Sequence, residues 1–135
     1  MAITTNAIAN SFKKELLEAK HNFTQTSGDQ FKIALYTNSA TLGKSTTSFT
    51  TDHQVSNTGQ YTSGGGKLAK GSQQTSVASS VAIVDFADRS FTGVTLTARG
   101  ALIYNTSNSN TAVAVLDFGG DKTATAGTFT IQFPA

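Results

Sequence analysis

The side chains that could move protons, hold a metal or attack a substrate are few in this chain, so each can be weighed in turn. His21 and His53 are the only histidines, and there is no cysteine. A zinc site draws three or four ligands from His, Cys or carboxylates at short spacings, and neither histidine has a second ligand at such a spacing. His53 follows Asp52, a base pair that could serve a serine nucleophile, but the strand-turn-helix elbow that exposes such a serine is missing. Gly43-Lys44-Ser45 ends like a phosphate-binding loop, yet Asn38 stands where the first glycine belongs. Gly66-Lys67 runs into Leu68, and no helical pattern follows either site to aim an N-terminus at a phosphate. Asp117-Phe118-Gly119 copies the magnesium-binding tripeptide of protein kinases in a chain too short for the rest of that machinery. Asp85, Asp88, Asp117 and Asp121 remain as carboxylates near strand ends. Two of them about 5–10 Å apart across a sugar cleft would make a glycosidase pair. With no Trp and three Tyr there is little aromatic surface to stack a sugar, so ion pairs with Arg89, Arg99 or Lys122, or calcium contacts, are the expected use. The expectation is a protein that is not an enzyme, with no catalytic residue, no cofactor and no dedicated metal site.

What must position these residues is read from periodicity. Ile8, Phe12, Leu16, Ala19 and Phe23 recur at three- and four-residue steps, which predicts an amphipathic helix over residues 6–23. Asn6 is the expected N-cap, His21 the expected cation at the negative C-terminal end, and Gly28 closes the polar stretch that follows. A helix this short is marginal alone in water, so its apolar stripe must dock on the sheet or on a neighbouring subunit.

Beyond Gly28 the period changes to two, beginning with Phe31, Ile33 and Leu35. Residues 37–75 are rich in Ser, Thr and Gly, with short strands expected around 49–55 and 67–70. Five strand candidates follow, over 77–86, 91–96, 99–104, 111–118 and 128–133. Asn105 to Asn110 reads as a hairpin loop whose flanking strands pair antiparallel. Pro134 falls after the last strand. Seven or eight short strands without helical crossovers predict a mainly β fold, an antiparallel β-sandwich or jelly roll preceded by one helix. The expected division is an N-terminal helical arm over 1–28 and a β domain over 29–135.

At 135 residues such a domain can bury roughly two-thirds of the surface of its unfolded chain, enough to fold without disulfides or metal. Charged residues are only 13%, about half the common globular share of roughly 25%. The net charge of +2 and the regular apolar runs exclude the composition of a disordered chain. The lysines are scattered and the arginines are two, Arg89 and Arg99, which predicts no nucleic-acid groove. No apolar run is long enough for a membrane helix, and the opening residues lack the pattern of a secretory signal, so neither a membrane nor export by the standard route is expected.

Longer blocks carry a resemblance. Ala34-Leu35-Tyr36-Thr37, Ala40-Thr41-Leu42 and Val55-Ser56-Asn57-Thr58-Gly59-Gln60-Tyr61 lead to Gly64-Gly65. Val84-Asp85-Phe86-Ala87-Asp88, Thr97 to Asn105 and Ala112 to Gly119 continue in order. Over residues 31–133 the chain resembles small proteins from the structural gene clusters of tailed bacteriophages. The blocks are strands and turns without a chemical motif. The resemblance implies a virion location and a capsid cement, or decoration, protein binding the major capsid protein. A tail, neck, baseplate or fibre component is the rival, and a carbohydrate- or cell-surface-binding module the further alternative. That module would need Tyr36, Tyr61 and Tyr104 gathered in a concave patch. A cement protein commonly sits as a dimer or trimer on a symmetry axis. Ile8, Phe12, Leu16 and Phe23 are then the expected partner or subunit contacts.

Overall fold

The computed structural model of the chain describes residues 3–133, the side chains of 70–74 excepted. Strands make up 49% of it and helix 6%, so the fold is mainly β. In chain order the elements are β1 (Ala7–Ile8), α1 (Asn10–Leu17), β2 (Phe31–Tyr36), β3 (Gly66–Lys67), β4 (Lys70–Ala78), β5 (Val81–Phe86), β6 (Arg89–Asn105) and β7 (Thr111–Ile131). Five strands form an antiparallel sheet in the order β1-β7-β6-β2-β3, and β4 and β5 form a separate two-stranded ribbon.

The middle of the sheet is buried on both faces. Phe31, Ile33 and Leu35 of β2 share one face with Ala101, Ile103 and Asn105 of β6, while Ala34 and Tyr36 share the other with Leu102 and Tyr104. All of these are buried. The first face receives α1 and the segment after it, with Phe23 stacked on Phe31 at 4.5 Å between ring centroids. The second is covered by the Ser/Thr-rich stretch 37–65, where Phe49 stacks on Tyr104 at 4.6 Å.

A strand buried on both faces must also satisfy its backbone on both edges. β6 takes one edge of β2 along its whole length, from Phe31↔Asn105 to Tyr36↔Gly100. The other edge is closed piecemeal. Leu68 N–H donates to the Phe31 carbonyl, Ile33 pairs with Gly66, and Val55 N–H donates to the Leu35 carbonyl. Leu35 N–H donates to the Tyr61 hydroxyl at 2.8 Å, and that hydroxyl donates in turn to Gln54 Oε1. Gly65 lies so close to this edge that a Cβ would stand 1.8 Å from the Ile33 carbonyl oxygen, and its φ of +79° is one that only glycine adopts cheaply.

Several elements depart from the sequence reading, each for a local reason. The helix is Asn10–Leu17, not 6–23. Ala7 and Ile8 pair with Val115 and Ala114 as a sheet edge, and Asn6, expected as the N-cap, gives its Oδ1 to the Asp117 N–H instead. The first helical N–H, that of Asn10, is met by the Lys44 carbonyl. At the other end Ala19 takes φ 57°, with Lys20 N–H on the Glu15 carbonyl and Ala19 N–H on that of Leu16. This is a Schellman stop with alanine where glycine is the usual residue. Phe23 therefore lies beyond the helix. The expected strand over 77–86 is a hairpin with Ser79 at φ 56° in its two-residue turn. The stretch 49–55 makes only single bridges, Ser48↔Thr111 beside it and Gln54↔Tyr36 within it. The last four candidates fuse into two long strands joined by the expected 105–110 loop, with register shifts where breaks were read. Pro134 lies outside the described residues.

The segment 3–28 is tied to the sheet at several points: Ile3 is buried against Gly100, β1 pairs with β7, and Phe12 is buried. Two substitutions test the account. Tyr61→Phe strands the buried Leu35 N–H and should cost about 1–3 kcal/mol in urea unfolding. Ala19→Gly relieves a left-handed alanine and should add about 1 kcal/mol, a gain in the same assay where most substitutions lose.

Candidate functional site

Of the four expected contact residues, the fold brings three together. Phe12 and Leu16 on α1 and Phe23 after it line a shallow groove of about 480 Å³, whose opposite wall is the β4–β5 ribbon with Val77, Ala82 and Val84. Ile8 is separated from them, half-exposed beside a polar hollow with Lys13 and Lys44. That hollow holds the Gly43-Lys44-Ser45 fragment, where Thr46 N–H returns to the Gly43 carbonyl in a tight turn.

Phe12 and Phe23 face the groove and continue beneath it into a run of buried rings. Phe12 meets Phe23 edge-on at 6.0 Å, Phe23 stacks on Phe31, and Phe86 closes on Phe31 at 5.7 Å. His21 is buried beneath the groove and is not a helix cap. Its ring lies 4.7 Å from Phe12. Asn105, wholly buried, points its side-chain amide at His21 Nδ1 and at Asp29 Oδ2, at 3.0 and 2.8 Å, and its Oδ1 accepts from Ser107 N–H. With Nδ1 accepting, His21 Nε2 is the protonated nitrogen that donates to Glu15 Oε1 at 2.9 Å. The His21 ring thus joins α1 to the sheet beneath the groove.

The upper wall is unusual. Val77 is 74% exposed and Val81 61%, with Ile83 and Val84 also open to solvent. They fall in the strand candidate over 77–86, and four consecutive apolar residues usually mark a strand of the core. What the pattern could not show is that the ribbon has no third strand: among the described residues β5 pairs only with β4. Cross-strand pairing puts Val77, Ala82 and Val84 on one face and Val81 and Ile83 on the other. The ribbon is anchored at its base by Phe86 and by Ala87 N–H on the Ala69 carbonyl.

Three of the four candidate carboxylates go to separate structural uses. Asp117 pairs with Arg99 across β6 and β7 and accepts from Gly119 N–H. Asp88 accepts from Phe133 N–H, and Asp121 accepts from the Asn38 side chain. Arg89 lies over the Phe91 ring at 4.8 Å. Tyr36, Tyr61 and Tyr104 are all buried, so they form no exposed aromatic patch, and burial pushes each hydroxyl above its ordinary value. Among the described residues no three His or carboxylate side chains gather as a metal-ligand set, and no helix is long and apolar enough to cross a membrane. No protein-family model, curated protein or solved structure matches the chain.

The Gly119 N–H, and after it the Arg99 guanidinium, hold the Asp117 carboxyl below its ordinary value of 3.8. A carboxylate whose value is lowered by folding stabilises the fold fully above the unfolded value and loses that contribution as pH falls through the lowered one. The urea midpoint should therefore fall with acid below about pH 4, and Asp117→Asn should flatten part of that slope.

Proposed function

We propose that this chain is a structural protein of a tailed-phage virion, a capsid cement (decoration) protein that stabilises the head by binding major capsid subunits. Its body is assigned in this reading to the antiparallel sandwich or jelly-roll type. The single observation that carries the proposal beyond the resemblance of residues 31–133 is the apolar groove between α1 and the ribbon. Soluble monomers seldom leave apolar side chains contiguous on the surface unless a partner covers them. Here Leu16, Val77 and Val84 stay open around the rings of Phe12 and Phe23.

Such a surface suits cement. A cement protein works by covering seams between capsid subunits, so its affinity must come from shape and apolar contact repeated over many copies. The chain is poor in charge, so little of that affinity can come from ion pairs, which are weak at exposed sites in any case. A groove lined from both α1 and the ribbon can accept an apolar edge or loop of a capsid subunit.

Copy number is the discriminating measurement. Gel densitometry of purified virions should find hundreds of copies, whereas a few dozen or fewer would remove the cement reading in favour of a tail or neck ring. Leu16→Glu, at a half-exposed position, should leave melting unchanged within a few degrees and weaken rebinding to stripped heads about tenfold or more.

A further inference from the structure

The groove is one side of the ribbon; its open edge is a different feature. From Gly71 to Val84 the chain has no charged residue and no proline. Natural sheets guard exposed edges with lysine, proline, bulges or a covering segment. The outer edge of β5 has none of these over Val81 to Val84, and its backbone groups are paired on the β4 side alone among the described residues. A two-stranded ribbon is marginal in water, and this one carries apolar residues on both faces.

We propose that β5 pairs with β5 of a second copy of this chain, antiparallel about a two-fold axis normal to the ribbon, to make a four-stranded sheet. Three observations favour a second copy over a foreign partner. Two identical antiparallel edges are self-complementary, because a two-fold axis normal to the sheet offers every outward N–H a carbonyl from the other copy. Over Val81 to Val84 the edge carries no charge, so two copies paired about an axis within that segment meet there without like-charge repulsion, the ordinary barrier to self-pairing. The same operation keeps matching faces on one side, so Val77, Ala82 and Val84 of both copies become one continuous apolar strip.

Sedimentation velocity of the full chain tests this. At about 100 µM, well above a micromolar dissociation constant, the chain should be a dimer or a multiple of one. Ile83→Lys should shift the equilibrium toward monomer about tenfold or more, with a melting temperature of the monomer unchanged, since the residue is open to solvent. Because the chain has no cysteine, single substitutions Ala82→Cys, Ile83→Cys and Val84→Cys report the axis directly. At least one should give a covalent dimer under mild oxidation, while Thr128→Cys, on an exposed part of β7, should not. A wild-type monomer at that concentration, or an oligomer indifferent to Ile83→Lys with no cross-link at any of the three positions, overturns the proposal. Binding of the ribbon to capsid subunits by a chain that stays monomeric overturns it likewise. The proposal stands apart from the virion reading: a dimer absent from virions would remove that reading and leave this one, and an abundant monomeric virion protein would do the reverse.

Discussion

The constraint on which the rest of the structure depends is the burial of β2 with both edges and both faces covered. One edge is easily met, because β6 runs the full length of β2. The other has no long strand to give it, and the chain meets the need from three separate places: residue 55, the Tyr61 hydroxyl and residues 66–68. A buried N–H without a partner costs as much as a sizeable share of a domain's net stability. The Ser/Thr/Gly-rich stretch must therefore wrap back over the sheet, and Gly65 is what lets the backbone come within contact of Ile33. A segment that reads as formless is held in place by the acceptors and donors of its neighbour.

That wrapping decides what is left outside. With 37–65 over one face and α1 with Phe23 over the other, the middle of the sheet has no room for β4 and β5, and they leave as a ribbon anchored by Phe86. The ribbon and α1 then face each other across the groove. The groove is thus a by-product of closing β2, and beneath it His21, Asn105 and Asp29 join helix, strand and loop in one hydrogen-bonded set. A buried set of this kind fixes geometry because any shift leaves a polar atom stranded.

How much of this was legible follows the same logic. The alternation in 31–36 and the Asn105–Asn110 loop were readable because their causes are local: side chains alternate, and turn residues turn. The helix ends were not: the start is set by distant partners and the stop by a residue type that seldom makes one. Asn6 has the side chain of a cap but Asp117 N–H takes it, and Ala19 stops the helix with no glycine to announce it. Phe12, Leu16 and Phe23 were legible as an apolar set, although only two of them share the helix, since a stripe at helical spacing also suits a helix followed by a returning loop. The exposed strand β5 was illegible in principle. Val81 to Val84 have the composition of a core strand, and composition states what a residue would bury, not whether this chain supplies the cover.

Low charge connects the surface to the way this chain can associate. A protein with ample lysine and glutamate keeps its edges apart by repulsion and solvation, and its contacts weaken as salt rises. Here the exposed apolar positions of the ribbon lie in a run without any charge, while ion pairs gather elsewhere, at Lys14, Glu18 and Lys20 around the end of the helix and at Arg99 with Asp117 on the sheet. Contacts made through the ribbon would rest on backbone hydrogen bonds and apolar burial, both little affected by ionic strength. Salt would then separate the two regions: the helix pairs are screened and lose what little they contribute, while attachment through the ribbon persists.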